Sequence, residues 1–277
     1  MFQLGVLGLG YVAQRLMLRY NWAESSWAVG HHRPKLNCHY PWNFFDWASP
    51  SSWESLPVQA DGLLLSIPPV ATSIIEETDR LHQWATWMKL HRPELNRLVY
   101  LSSTSVIPNQ PGRFNEDSPT GPASLKGKLR LVTEQILAQY FQLKVIRPAA
   151  IYGPERGIAA RIKAQKPIPS DTGPIYRIHV GDLVRICELA LTNPGFPPLV
   201  HAADPNPASS LEVAQWFVKR LEFQKTDLRL EEGYLARRGF GSHPDREIEC
   251  LRLKEWGYQF QFPSYQEGLI HDESANP

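Results

Sequence analysis

The residue types best suited to chemistry appear within the first thirty-four positions. Gly8-Leu9-Gly10-Tyr11-Val12-Ala13 fits G-x-G-x-x-A and directly follows a short apolar run. In such a turn Gly8 permits the tight bend, Gly10 lets the backbone approach a pyrophosphate, and Ala13 lets the next helix pack closely on the strand. A helix opening at Tyr11 offers N–H groups and a partial positive charge to phosphates. The spacing predicts a dinucleotide cradle contacted by Gly8, Gly10, Tyr11, Val12 and Ala13. The second strand should read the cofactor's 2′ position, where an NAD site carries a carboxylate. Here the chain reads Gly30-His31-His32-Arg33-Pro34. With His32 and Arg33 in place of an acid, a 2′-phosphate is welcome, so NADP(H) is favoured, with NAD(H) the alternative. The bland reading keeps both as solvated loop residues. The paired histidines make a poor metal site, since neighbours in an extended segment face opposite ways and no third ligand is evident.

Those residues need a scaffold, and the chain supplies an alternating one. Strands are expected at 2–7, 27–31, 62–67, 97–102, 143–147 and 199–202, and helices at 11–20, 73–90, 124–140, 180–192 and 210–220. Strands alternating with helices indicate βαβ units and a parallel sheet covered on both faces. Trp84, Trp87 and Met88 read as core, Glu76 and Glu77 as a solvated helix face, and 271–277 as a frayed end. A length of 277 residues with 43% hydrophobic and 11% aromatic content allows a real core, which excludes a disordered chain. With 29 Lys+Arg against 28 Asp+Glu there is no cationic excess to neutralise phosphates, so nucleic acid is not an expected partner. No apolar run is long enough to span a bilayer, and the opening residues do not resemble a signal peptide; a cytoplasmic location without membrane association is expected. Three cysteines, Cys38, Cys187 and Cys250, are odd in number and lack a CxxC, against both disulfides and a zinc site. No G-x-S-x-G elbow and no G-x-x-x-x-G-K-[ST] loop is present.

Further stretches carry a resemblance. They are Val99-Tyr100-Leu101-Ser102-Ser103-Thr104-Ser105-Val106, Glu116-Asp117-Ser118-Pro119, Arg147-Pro148-Ala149-Ala150-Ile151-Tyr152-Gly153-Pro154, Arg177-Ile178-His179-Val180-Gly181-Asp182, and Gly257-Tyr258 with Glu267-Gly268-Leu269. In that order they resemble the extended short-chain dehydrogenase/reductase family, the NAD-dependent epimerase/dehydratases, and within it the atypical YeeZ-like group. The resemblance implies a doubly wound parallel Rossmann sheet with a smaller, discontinuous C-terminal substrate lobe. It places the cofactor-binding domain at 1–152 and 177–204 and the substrate lobe at 153–176 and 205–277. It adds Ser66, Ile67 and Pro68 to the cofactor contacts, makes Ser103 the catalytic hydroxyl, and puts Ser105, Tyr152, Arg177 and His179 near the substrate. Ser105 is expected on the same side of an extended strand as Ser103.

The departures from the family pattern are informative. Its Y-x-x-x-K pair, a general acid/base with its supporting lysine, aligns with Lys126 and Arg130, around a retained Gly127. Arg130 could still bind ribose hydroxyls. Lys126 could act as an acid only if burial or its cationic neighbours lowered its pKa from ~10.4; otherwise the segment is a solvated basic face. Ala150 stands where many members carry an Asn, and the R-D-F pattern of nucleotide-sugar enzymes is missing before His179. Two readings stand: an NAD(P)-dependent oxidoreductase or epimerase/dehydratase-like enzyme acting on a small molecule, or a non-catalytic sensor of the dinucleotide. Self-association through the 73–90 and 124–140 helices is the open question among partners.

Overall fold

The computed structural model describes residues 1–33, 36, 39–220, 228–237 and 245–275. β1 (Leu4–Leu7) leads to α1 (Tyr11–Arg19), and β2 (Trp27–Gly30) to β3 (Trp42–Phe44). A 3-10 turn at Pro50–Ser55 precedes β4 (Gly62–Leu65), α2 (Ile74–His91), β5 (Arg97–Leu101) and a second such turn at Thr104–Val106. Next come β6 (Gly112–Phe114), α3 (Leu125–Tyr140), β7 (Gln142–Pro148), β8 (Ala150–Tyr152), α4 (Ile158–Lys163), β9 (Ile168–Pro169), β10 (Arg177–His179), α5 (Val180–Thr192) and β11 (Leu199–Ala202). The described chain ends with α6 (Ser210–Arg220), β12 (Leu230–Glu231), α7 (Tyr234–Arg237), β13 (Arg246–Ile248), α8 (Leu251–Glu255) and α9 (Tyr265–Ala275).

The central sheet has seven strands in the order β11-β7-β5-β4-β1-β2-β3. Its pairings from β3 across to β7 are parallel, with Leu7 level with both Val29 and Leu65. This is the expected Rossmann-like α/β architecture. The chain builds outward from β1 through β2 to β3, then returns to β4 on the other side of β1. That reversal creates a crevice at the strands' C-terminal ends, the usual ligand position in such sheets. The all-apolar run Leu63-Leu64-Leu65 is buried on both faces, as a parallel strand requires. Leu81, Trp84 and Met88 of α2 and Ile136 and Leu137 of α3 close one face of the sheet. Ser73 and Ser124 cap α2 and α3 by accepting from Glu76 N and Gly127 N.

The chain divides into two compact units. The first comprises 1–108, 119–147 and 184–200; the second, smaller and discontinuous, comprises 109–118, 148–183 and 201–277. The core of the second gathers Tyr152, Ile162, Ile168, Phe217, Tyr265 and Leu269. Among the described residues no helix is long and apolar enough to cross a membrane.

Three expectations are corrected here. Glu77 is not on a solvated face: it is 1% exposed, paired with Arg80, and accepts a hydrogen bond from Thr133 Oγ1 at 3.3 Å. Its partners lie one helical turn away and on α3, and α3 covers the face that α2 would otherwise show to water. Residues 271–275 are not frayed but lie in α9, where Asp272 is buried against His179. The chain also leaves the β5 ladder at Leu101, so Ser105 sits in the Thr104–Val106 turn instead of on an extended strand.

Candidate functional site

Three strand ends meet at the sheet's point of reversal. Gly8 N donates to Val29 O and Ser66 N to Leu7 O, both at 2.8 Å, and the Ser66 hydroxyl donates to Gly8 O. Gly8 has φ +95, and a Cβ there would lie 2.6 Å from Ile67 Cγ1 and 2.9 Å from its backbone N, so only glycine fits. Gly10 is different. Its φ of −85 suits any residue, and a Cβ built on it meets nothing within 4 Å. The space above Gly10 is open, and no side chain caps α1 there, unlike α2 and α3.

That open space belongs to a cavity of about 420 Å³ lined by Gly8, Gly10, His32, Ser66, Ile67 and Pro68 among the sequence-predicted residues. Val12 and Ala13 are buried in the first turn of α1, and the Arg15 guanidinium lies over the Tyr11 ring. Arg33 is exposed and off the cavity wall. His31 and His32 do not project oppositely: the strand ends at Gly30, the chain bends, and the two rings meet edge-on at 4.8 Å, both on the wall. Sequence reasoning missed Asp46, whose carboxylate borders the cavity and accepts from Ala48 N at 2.9 Å. The signal was a carboxylate directly after an apolar pair, Phe44-Phe45. It went unread because β3 is a three-residue strand with two exposed positions. The wall thus offers a glycine cradle, a helix start without a side-chain cap, two imidazoles and a carboxylate, which suits a dinucleotide's pyrophosphate and sugar hydroxyls.

The serine turn lies at the end of β5. Ser103 caps it, its Oγ accepting from Ser105 N at 3.1 Å, which leaves the hydroxyl proton for another acceptor. The start of α3 is docked on this turn. A Cβ at Gly127 would lie 2.3 Å from Ser105 O, so the retained glycine is a close-packing requirement. Arg130 Nη1 donates to Leu101 O at 3.2 Å and Ser102 O at 3.0 Å, gripping the strand end. Lys126 is exposed one turn earlier on the same helical face. Beneath the turn, Ser102 Oγ donates to Glu134 Oε1, and Arg147 donates to both Glu134 oxygens at 3.1 and 2.6 Å.

Within the second unit, Tyr152, Arg177 and His179 are buried, and their polar atoms serve that unit. Tyr152 Oη donates to Ser264 O at 3.0 Å, and burial pushes its pKa up. Arg177 Nη1 donates to Ile175 O at 2.8 Å and to Ala208 O. His179 Nδ1 accepts from Gly181 N at 3.1 Å, so its proton sits on Nε2, facing Asp272 Oδ1 at 3.1 Å. Asp182 accepts from Tyr258 Oη, Gln261 N and Phe262 N at 2.8–2.9 Å. Glu116 does similar work, accepting from His201 N and Leu251 N. Tyr152 and Arg177 also border a cavity of about 440 Å³, wholly within this unit, with Arg156, Arg161 and Lys166 on its wall. Among the cysteines, Cys38 lies outside the described residues, and burial pushes the Cys187 and Cys250 thiols up to about 12, away from reactive thiolates.

Asp204, 1% exposed, carries a testable consequence. Burial raises its pKa from 3.8 to about 7, against the pull of the Asn206 N–H and the Arg177 charge. The folded protein therefore holds a proton that the unfolded chain releases, so this group's contribution is full below pH 3.8 and is lost as pH rises to about 7. Asp204→Asn, neutral throughout, is expected to be more stable than the wild type at pH 8 by on the order of a few kcal/mol, with the gain vanishing at low pH. Denaturant unfolding at both ends of that range checks this; a gain independent of pH contradicts it.

No family model matches the chain, and no curated protein does. Solved structures match it along nearly its whole length. UDP-glucose 4-epimerase of Thermus thermophilus, in complex with NAD, is 14% identical, with 98% of each chain covered and a TM-score of 0.77. A functionally unknown conserved protein from Silicibacter pomeroyi is 20% identical, with 99% of each covered and a TM-score of 0.76. dTDP-glucose 4,6-dehydratase of Bacillus anthracis, in complex with NAD, is 16% identical over 100% of this chain and 97% of that one, with a TM-score of 0.75. The likeness is one of fold. It extends beyond the parallel sheet to the residues of both units, and function has to be argued from the sites.

Proposed function

We propose that the first unit binds a nicotinamide dinucleotide over its glycine turn, and that the chain is an atypical NAD(P)-dependent oxidoreductase or epimerase/dehydratase-like enzyme acting on a small molecule. The observation that carries this is the open space above Gly10, inside a cavity with a carboxylate and two imidazoles on its wall. Bound there, the cofactor would give or take a hydride. Gly8 and Gly10 would admit the pyrophosphate to the backbone, and the Asp46 carboxylate would accept from the cofactor's amino or hydroxyl groups. Ser103, its oxygen already accepting from Ser105 N, would hold a proton toward the substrate. Arg130 fixes the strand end that carries Ser103. NAD accompanies several of the solved structures of this fold. For this chain NADP(H) is the preferred form, its 2′-phosphate meeting His32 on the cavity wall and extending toward solvent to the exposed Arg33 next in sequence.

The test is calorimetric titration with NADPH, NADP⁺, NADH and NAD⁺; no binding of any of the four refutes the proposal. Arg33→Ala is expected to erase the preference for the 2′-phosphate, and a variant that retained it would remove Arg33 from the account. A second reading, a sensor without turnover, is favoured by one observation: an exposed lysine, Lys126, stands where the resembling family has its acid/base tyrosine. Once a substrate screen by NADPH oxidation has found turnover, Ser103→Ala should lower kcat by roughly 100-fold or more at nearly unchanged dinucleotide affinity. Binding without turnover of any substrate screened, and a Ser103→Ala variant indistinguishable from wild type in every response to the dinucleotide, supports the sensor.

A further inference from the structure

The first unit has another cavity, of about 350 Å³, at the opposite ends of the sheet strands. Gly62, Arg97 and Gln142, which begin β4, β5 and β7, lie on its rim. Its walls are largely hydrocarbon, with Leu143, Leu191 and Phe196 most prominent. Two charged side chains reach it, and both are cations. Lys144 Nζ donates to Ala190 O at 3.0 Å and Asn193 O at 2.6 Å, which caps the C-terminal end of α5 and fixes the ammonium at one wall. Two of its three protons are thereby used. The Phe196 ring lies 5.9 Å from the same nitrogen.

Capping α5 accounts for Lys144 alone; it does not account for a second cation beside it. Burial pushes the Lys144 pKa down and the Arg97 charge pushes it further, with no opposing carboxylate. Among the described residues no acidic side chain lines the cavity, and Arg97 makes no ion pair. Two like charges at the mouth of an apolar pocket repel, and an anion placed between them turns that repulsion into attraction. The hydrocarbon walls would leave a bare inorganic anion without contacts beyond its head and would suit a short apolar tail.

We propose that this cavity is a binding site for a small monocarboxylate with a short hydrocarbon tail. The carboxylate meets the remaining Lys144 proton and the Arg97 guanidinium, and the tail packs on Leu143, Leu191 and Phe196. The site lies at the far ends of the strands from the glycine turn and needs no dinucleotide.

The experiment is thermal unfolding of the full chain, free of any dinucleotide, with hexanoate, hexan-1-ol or inorganic phosphate. Hexanoate is expected to raise the unfolding midpoint by several degrees at saturation, while the other two leave it unchanged. Lys144→Met should abolish the hexanoate shift. Because that variant also removes the cap on α5, the exposed Arg97→Gln provides a second test: a midpoint without ligand no lower than the wild type's, since one of two repelling charges is gone, and hexanoate binding weakened about tenfold. No shift with hexanoate, an equal shift with hexan-1-ol or with phosphate, or full affinity in Arg97→Gln overturns the proposal. None of these outcomes depends on whether the glycine turn binds a dinucleotide.

Discussion

Gly10→Asp is expected to abolish dinucleotide binding while leaving the fold intact or slightly more stable. The two halves of that expectation have separate causes. Gly10 is the N-cap of α1, with φ −85 and ψ −166, a conformation open to every residue, and its added Cβ would touch nothing. Aspartate is among the preferred N-cap residues and opposes the helix dipole favourably, so α1 should gain up to about 1 kcal/mol. The same carboxylate would occupy the space a pyrophosphate needs and repel its charge, so calorimetry should record no heat for any of the four dinucleotides. Gly8→Ala is the contrasting case. Its Cβ would collide with Ile67 and its φ is +95, so that variant should lose stability along with any binding. A Gly10→Asp protein that still bound a dinucleotide would move the ligand off the glycine turn. One that failed to fold would mean that Gly10 has a structural duty its open surroundings do not reveal.

The glycine turn was legible in the sequence because its residue types are imposed by close approach. Gly8 can be nothing else, and Ala13 is fully buried. In the sequence Gly127 is only a retained glycine of the resembling pattern; its reason, a backbone oxygen in close approach, emerges from the structure. What could not be read was the use to which a polar group is put. Tyr152, Arg177 and His179 look like substrate groups because polar side chains in a motif invite that reading. In the structure their hydrogen bonds run to Ser264, to Ile175 and Ala208, and toward Asp272, partners up to 112 residues away. The solvated reading of Glu77 did fail: next to the exposed Glu76 it looked solvated, yet α3 covers it and Thr133 donates to it. Asp46 was lost with its strand, since Trp42–Phe44 is too short and too exposed to show an alternating pattern.

Arg130 has a structural duty of its own. The Arg130 guanidinium holds the carbonyls of Leu101 and Ser102 through its Nη1. A guanidinium has five donors in a rigid fork, so donors remain after it grips the two carbonyls. The position therefore ties the serine turn to α3 whether or not it contacts a ligand.

The largest loss of stability is expected from Arg147→Met. Arg147 and Glu134 have side chains 6% and 8% exposed, joined at 2.6 Å, with Ser102 Oγ donating to the same carboxylate. Removing the arginine leaves a buried carboxylate held by one hydroxyl, and breaking such a pair from one side costs about 3–5 kcal/mol. The double variant Arg147→Met/Glu134→Leu removes both charges and is expected to recover most of that loss, since a buried ion pair is often no better than packed hydrocarbon. Urea unfolding of both variants measures the difference, and equal losses would mean that the damage comes from packing around the introduced methionine and not from the stranded charge. The double variant also separates stability from function. Ser102 loses its acceptor when Glu134 is replaced, so the turn carrying Ser103 should stay loosened even where the fold has recovered. Should turnover be found, the double variant is expected to be folded yet impaired, with its dinucleotide affinity near that of the wild type. Arg147, conspicuous in its motif, would then act on chemistry only through the position of the serine turn.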